Sequence, residues 1–172
     1  LISRVLGYLR DILIAIFLGS GALADAFFVA FRIPNTFRRL FGEGSFNAAF
    51  IPSYSKELIK GKTNARNFAN NIFNLLTIFL LILIAVVELF MPIFVSIIAP
   101  GFKSNPEKFL LAVQLTKITF PFILFVSLAS FFSAILNSYN KFAAASAAPI
   151  ILNIFLILIL LFGKILDEKL VI

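Results

Sequence analysis

An all-α integral membrane bundle is the fold class this sequence predicts, and three observations predict it. Of its 172 residues, 61% are hydrophobic and only 13% charged, with a mean hydropathy of +1.05. A water-soluble domain of this length needs far more polar surface than that. Several apolar runs reach the ~20 helical residues that a hydrocarbon core of about 30 Å requires. The most basic segment lies between two such runs, as cytoplasmic loops do in membrane proteins.

The apolar runs predict five helices, over residues 1–19, 22–52, 68–98, 109–136 and 144–163. The first ends at Gly19-Ser20-Gly21, which suits a tight turn between antiparallel helices. The second is longer than a bilayer is thick, and Pro34 and the Gly42–Gly44 pair are places to kink or break it. Ser53–Asn67 reads as a polar loop, with Lys56, Lys60, Lys62 and Arg66 against Glu57. The third helix stops at Ala99-Pro100-Gly101, and Phe102–Lys108 forms the next loop. The fourth helix ends before the polar turn Asn137–Lys141. The fifth ends near Gly163, ahead of the charged stretch Lys164–Lys169. Placing Ser53–Asn67 in the cytoplasm and alternating from there puts the residue 1 end inside and the residue 172 end outside. The chain opens on Leu1 and its first helix carries Arg4 and Arg10, so residue 1 reads as an internal start rather than a signal peptide.

Composition excludes much chemistry. There is no cysteine and no histidine, which removes thiol nucleophiles, disulfides, Cys/His metal sites and imidazole catalysis. No glycine-rich phosphate loop and no serine beside a base is visible, so no catalytic residue, metal or cofactor is expected and the chain is not read as an enzyme. The net charge of +7 follows from basic loops beside apolar helices and calls for no nucleic acid.

Function is expected where charge enters the apolar runs. Arg4, Arg10, Asp11, Asp25, Arg32, Arg38, Arg39 and Glu43 all fall in the first two segments. A charged group at membrane depth costs ~3 kcal/mol or more, so it faces a partner or a water-filled cavity. For Arg4 and Arg10 the plain alternative is snorkelling to the headgroups. Asp25, Arg32 and Arg39 follow one another at seven-residue spacing, one stripe on a straight helix. Five arginines outnumber the three carboxylates, and the planar guanidinium fork matches phosphate. The alternative is internal pairing, for example of Asp25 with Arg32. Glu88 and Lys117 read as snorkelling charges, and Asn137, Asn140 and Asn153 as groups that cap or bridge helices.

Specific stretches also resemble a known family. Ser3-Arg4-Val5-Leu6-Gly7, Arg10-Asp11 and Asp25-Ala26-Phe27-Phe28-Val29-Ala30-Phe31 resemble the start of the MurJ (MviN) family, the lipid II flippases of bacterial peptidoglycan synthesis. The similarity continues through Ile33-Pro34-Asn35, Arg38-Arg39-Leu40-Phe41, Glu43-Gly44-Ser45-Phe46 and Ala49-Phe50-Ile51-Pro52. It resumes at Ala99-Pro100-Gly101-Phe102, Lys117-Ile118-Thr119-Phe120-Pro121, Ala134-Ile135-Leu136-Asn137, Ala148-Pro149 and Leu152-Asn153-Ile154.

The resemblance implies a transporter of the multidrug/oligosaccharidyl-lipid/polysaccharide type, with about fourteen helices in two lobes around a central cavity. Residues 1–172 then correspond to about five helices of the N-terminal lobe, without the C-terminal lobe. It implies Arg4, Arg10 and Arg38 as cavity arginines, Asp25 as an important acid and Glu43 within a Glu-Gly element. Straight-helix geometry favours Arg39 where the resemblance favours Arg38. The implied substrate is lipid II, an undecaprenyl-pyrophosphate glycopeptide, moved from the cytoplasmic to the periplasmic face of the inner membrane. Membrane lipids and the cell wall synthesis machinery are the implied partners. In this reading Arg10 and Arg38 grip the pyrophosphate, and Asp25 pairs an arginine when the cavity is empty. Membrane potential is a suitable energy source, at about 2.3 kcal/mol per charge per 100 mV. The rival readings are an exporter of another polyprenyl-linked glycan or a drug, and a non-transport membrane scaffold.

Overall fold

A computed structural model describes residues 2–19, 21–42 and 45–170. These residues form α1 (Ile2–Leu18), α2 (Ala22–Gly42), α3 (Ser45–Lys60), α4 (Lys62–Leu89), α5 (Met91–Ile98), a 3-10 segment (Pro100–Ser104), α6 (Pro106–Thr119), α7 (Phe122–Ser138) and α8 (Phe142–Leu170). No strand occurs among the described residues.

The expected five runs are subdivided, and each division has a local cause. The 22–52 run is two helices, α2 ending at Gly42 and α3 starting at Ser45, while α2 continues through Pro34 without interruption. Pro34 does not break α2. α3 passes through Pro52, which has no N–H to give to the carbonyl four residues back. At the next residue, the Ser53 hydroxyl donates to the Ala49 carbonyl at 2.9 Å.

The expected loop Ser53–Asn67 is a correction: it is helical on both sides of a single break at Gly61. Its lysines sit on helix surfaces, and Lys60 pairs with Glu57 at 2.6 Å. Gly61 adopts φ 133° and ψ 153°, a region open almost only to glycine. Gly61→Ala is therefore expected to destabilise the protein by about 1–3 kcal/mol, read as a lowered thermal midpoint in detergent. An unchanged midpoint would show that the α3–α4 corner tolerates another backbone.

The expected third helix is α4 and α5, parted at Phe90. Pro92 in the first turn of α5 cannot continue the hydrogen-bond ladder of α4. The fourth is α6 and α7, parted at Phe120-Pro121 for the same reason. α6 also starts earlier than expected, because Asn105 caps it by accepting the Lys108 N–H at 3.1 Å. α8 runs on past Gly163 to Leu170, since a lone glycine weakens a helix without ending it.

α2 lies against α6 and α7, α3 against α4 and α7, and α1 against α8. Phenylalanine fills the centre. The buried Phe131 of α7 meets Phe46 and Phe50 of α3 and Phe73 of α4, with ring centroids 5.2–6.3 Å apart. At the end of this cluster the Tyr54 and Tyr139 hydroxyls lie 3.2 Å apart. Burial, helped by that hydrogen bond, pushes the Tyr54 phenol up to about 12, so it keeps its proton at neutral pH.

The outside of the bundle is as apolar as the inside. α4 and the α6–α7 run (Pro106–Ser138) are long and apolar enough to span a membrane. Only 11% of the α4 stretch is buried, with Leu75, Ile78, Phe79 and Ile82 exposed. A core helix of a soluble protein hides such a surface; here lipid is the solvent that suits it. The chain is an all-α membrane protein.

Candidate functional site

The charged residues of α1 and α2 define the site, and their depth follows from the hairpin these helices form. The turn contains Gly19 at φ 62°, a left-handed conformation that glycine adopts freely. Arg10 of α1 lies over the Phe31 ring of α2, with Cζ 5.9 Å from the centroid. That contact sets the register: Arg10 is level with residues 31 and 32. Arg4 lies six residues back along α1, about 9 Å at 1.5 Å per residue. Asp25 is six residues the other way from Phe31, also about 9 Å. Along α2, Asp25 therefore lies nearest the turn and Arg32 about two turns further on, while on α1 Arg10 meets Phe31 and Arg4 lies further from the turn.

Arg10 is held in place. Its Nε and Nη2 donate to Asp11 Oδ1 at 3.0 and 2.7 Å, and its Nη1 donates to Asn153 Oδ1 at 2.9 Å. Its side chain is only 18% exposed, held by Asp11 of its own helix and Asn153 of α8. Asn153 is buried on α8 and is the residue that sequence reasoning undervalued. It does bridge helices, as its polarity in an apolar run implies. Its partner is a candidate site arginine 143 residues away, which no local pattern could reveal. Gly7, one turn before Arg10, lies beside the same residue: a Cβ there would make ordinary van der Waals contact, 3.7 Å from Asn153 Nδ2.

Asp25 requires a correction. Its partner is a lysine, not an arginine: Lys108 Nζ reaches Asp25 Oδ2 at 2.5 Å. The physical reason is length. Arg32 is about 10 Å further along α2 and Arg38 about 20 Å, whereas the first turn of α6 is adjacent. Lys108 carried no role in the sequence because it read as a loop cation.

Arg4 and Arg32 are exposed and have no ion-pair partner among the described residues. Asp11 offsets Arg10 and Lys108 offsets Asp25, so these two guanidiniums carry the uncompensated charge of the described hairpin. Arg38 and Arg39 fall on α2, but their side chains lie outside the described residues, and so does Glu43. Glu88 lies on α4 and Lys117 on α6. Glu88 Oε1 is buried with no hydrogen-bond partner, which the snorkelling expectation did not foresee.

An anion fits this arrangement. A guanidinium offers five N–H donors, and the bonds to Asp11 and Asn153 use three of those of Arg10. Arg4 and Arg32 add exposed guanidiniums on α1 and α2. Among the described residues no cluster of acidic side chains could hold a metal ion.

The model of the lipid II flippase MurJ family matches residues 14–171. A probable lipid II flippase MurJ of Rickettsia prowazekii (strain Madrid E) is 42% identical over 168 residues, covering 97% of this chain and 33% of that protein. Relatives of the same description from Rhizobium tropici and Aquifex aeolicus are 46% and 42% identical, covering 90% and 92% of this chain and 30% and 31% of their own lengths. The chain therefore spans about a third of the length of the curated relatives it matches. With the family model matching nearly end to end, the chain belongs to the lipid II flippase MurJ family.

Proposed function

We propose that this chain forms part of the N-terminal lobe of a lipid II flippase, and that its α1–α2 hairpin lines the path of the lipid-linked pyrophosphate. The observation that carries this reading is the ladder of guanidinium groups on the hairpin. Arg10 is fixed midway by Asp11 and Asn153, and Arg4 and Arg32 stand open beside it. Moving a pyrophosphate and a sugar–peptide head through hydrocarbon unaided costs many kcal/mol. Guanidiniums at successive depths let the phosphates pass between charge-assisted hydrogen bonds while the polyprenyl tail stays in lipid. In this reading the turn end of the hairpin, with Asp25, faces the periplasm, and the Arg4 end of α1 faces the cytoplasm. The membrane is the inner membrane of a bacterium.

Arg38→Ala in the whole protein tests it. Lipid II reaching the outer leaflet is expected to fall at least about tenfold, the worth of one charge-assisted bond to an anion. Arg38→Lys keeps the charge but loses the fork, and is expected to fall between the two. Export at the parent rate in Arg38→Ala removes Arg38 from the path.

A further inference from the structure

The contact between α2 and α6 is pinned at two places. At one, the Thr119 hydroxyl of α6 donates to the Ala30 carbonyl of α2 at 3.1 Å. At the other, Lys108 of α6 reaches Asp25 in the first turn of α2. Between the pins the facing side chains include the fully buried Ala26, Ala30 and Ala112, so the two backbones approach closely with little side-chain bulk to hold them. The second pin is built with care. Asn105 accepts the Lys108 N–H and so fixes its backbone at the third position of α6. The Phe102 ring lies 4.5 Å from the Lys108 ammonium on another side. Lys108 is 22% exposed, while Asp25 remains 55% exposed.

We propose that Lys108 is a positioning residue for Asp25, clamping the turn end of α2 to α6 so that the Asp25 carboxylate is held at the mouth of the hairpin. Asn105 and Phe102 orient the lysine, and the lysine orients the aspartate. The consequence for export rests on the flippase reading; the clamp itself does not.

The natural chain has no cysteine, so a single introduced thiol is a clean reporter within it. Ala26→Cys, buried between the pins, is labelled in the whole protein in membranes with a small impermeant thiol reagent, any thiols outside this chain having first been replaced. Adding Lys108→Met is expected to speed labelling about fivefold, the effect of losing one modest ion pair. Lys108→Arg is expected to label at the parent rate, and so is the exchanged pair Asp25→Lys with Lys108→Asp. Labelling of Lys108→Met at the parent rate overturns the proposal, as does labelling of Lys108→Arg as fast as Lys108→Met. Should Lys108→Met fail to accumulate, the exchanged pair decides: parent-rate labelling upholds the clamp and faster labelling overturns it. Lipid II export is measured on the same variants. A labelling response in a protein whose parent form exports no lipid II upholds the clamp and ends the flippase reading alone.

Discussion

Arg10→Ala in the whole protein is expected to reduce lipid II export by about 10- to 100-fold, the worth of a charge-assisted hydrogen bond to phosphate of about 1.5–3 kcal/mol. Among the described arginine side chains of α1 and α2, this guanidinium is the one held in place, by Asp11 on its own helix and Asn153 on α8. Removing it also takes one hydrogen-bond donor from Asp11 and one from Asn153, which is buried. A loss of export could then reflect damaged folding. The double variant Arg10→Ala with Asp11→Ala separates the two effects, because it removes the acid together with its base. A scaffold tolerates that exchange; an anion path does not. A double variant that melts like the parent yet exports nothing supports the pyrophosphate role. One that exports normally sinks it. Asn153→Ala is the complementary variant, since it keeps the charge of Arg10 but frees the fork, and is expected to weaken export less than loss of the guanidinium does.

Phe131→Ala is the substitution expected to cost most stability, about 3 kcal/mol or more. Phe131 is buried where α3, α4 and α7 meet, with ring contacts to Phe46, Phe50, Phe73 and Phe132. Against lipid the transfer of an apolar ring contributes little, because lipid is as apolar as the protein interior. What holds here is dispersion between fitted rings, and deleting one leaves a cavity that its neighbours refill only partly. Thermal unfolding in detergent checks this, with Phe132→Ala as the comparison because Phe132 is half exposed. Equal midpoints for the two variants would show that the cluster is not the keystone its geometry implies. None of the ring contacts of Phe131 is to a residue of α1 or α2, so Phe131→Ala should lower the amount of folded protein before it alters the site.

The sequence by itself determined the solvent and the class. A hydrophobic share of 61% leaves no other medium than lipid, and in lipid a chain of this length must satisfy its backbone as helices or as a closed barrel. It also placed the unusual charges in α1 and α2, because an arginine in an apolar run is conspicuous wherever the helix bounds fall. Hydropathy could not set those bounds: Pro92 and Pro121 interrupt hydrogen-bond ladders without interrupting apolarity, and the lysines at 56, 60 and 62 are polar without being loop.

Partnership was decided by tertiary structure alone. Asn153 and Lys108 were each legible as polar residues, yet their bonds to Arg10 and Asp25 cross 143 and 83 residues. Helix packing selects such pairs, since it sets which turns lie side by side, and charge patterns along one chain carry no record of that register. Asp25 shows it most plainly: the stripe of α2 aims it towards arginines about 10 Å or more away, and the first turn of α6 delivers a lysine within reach.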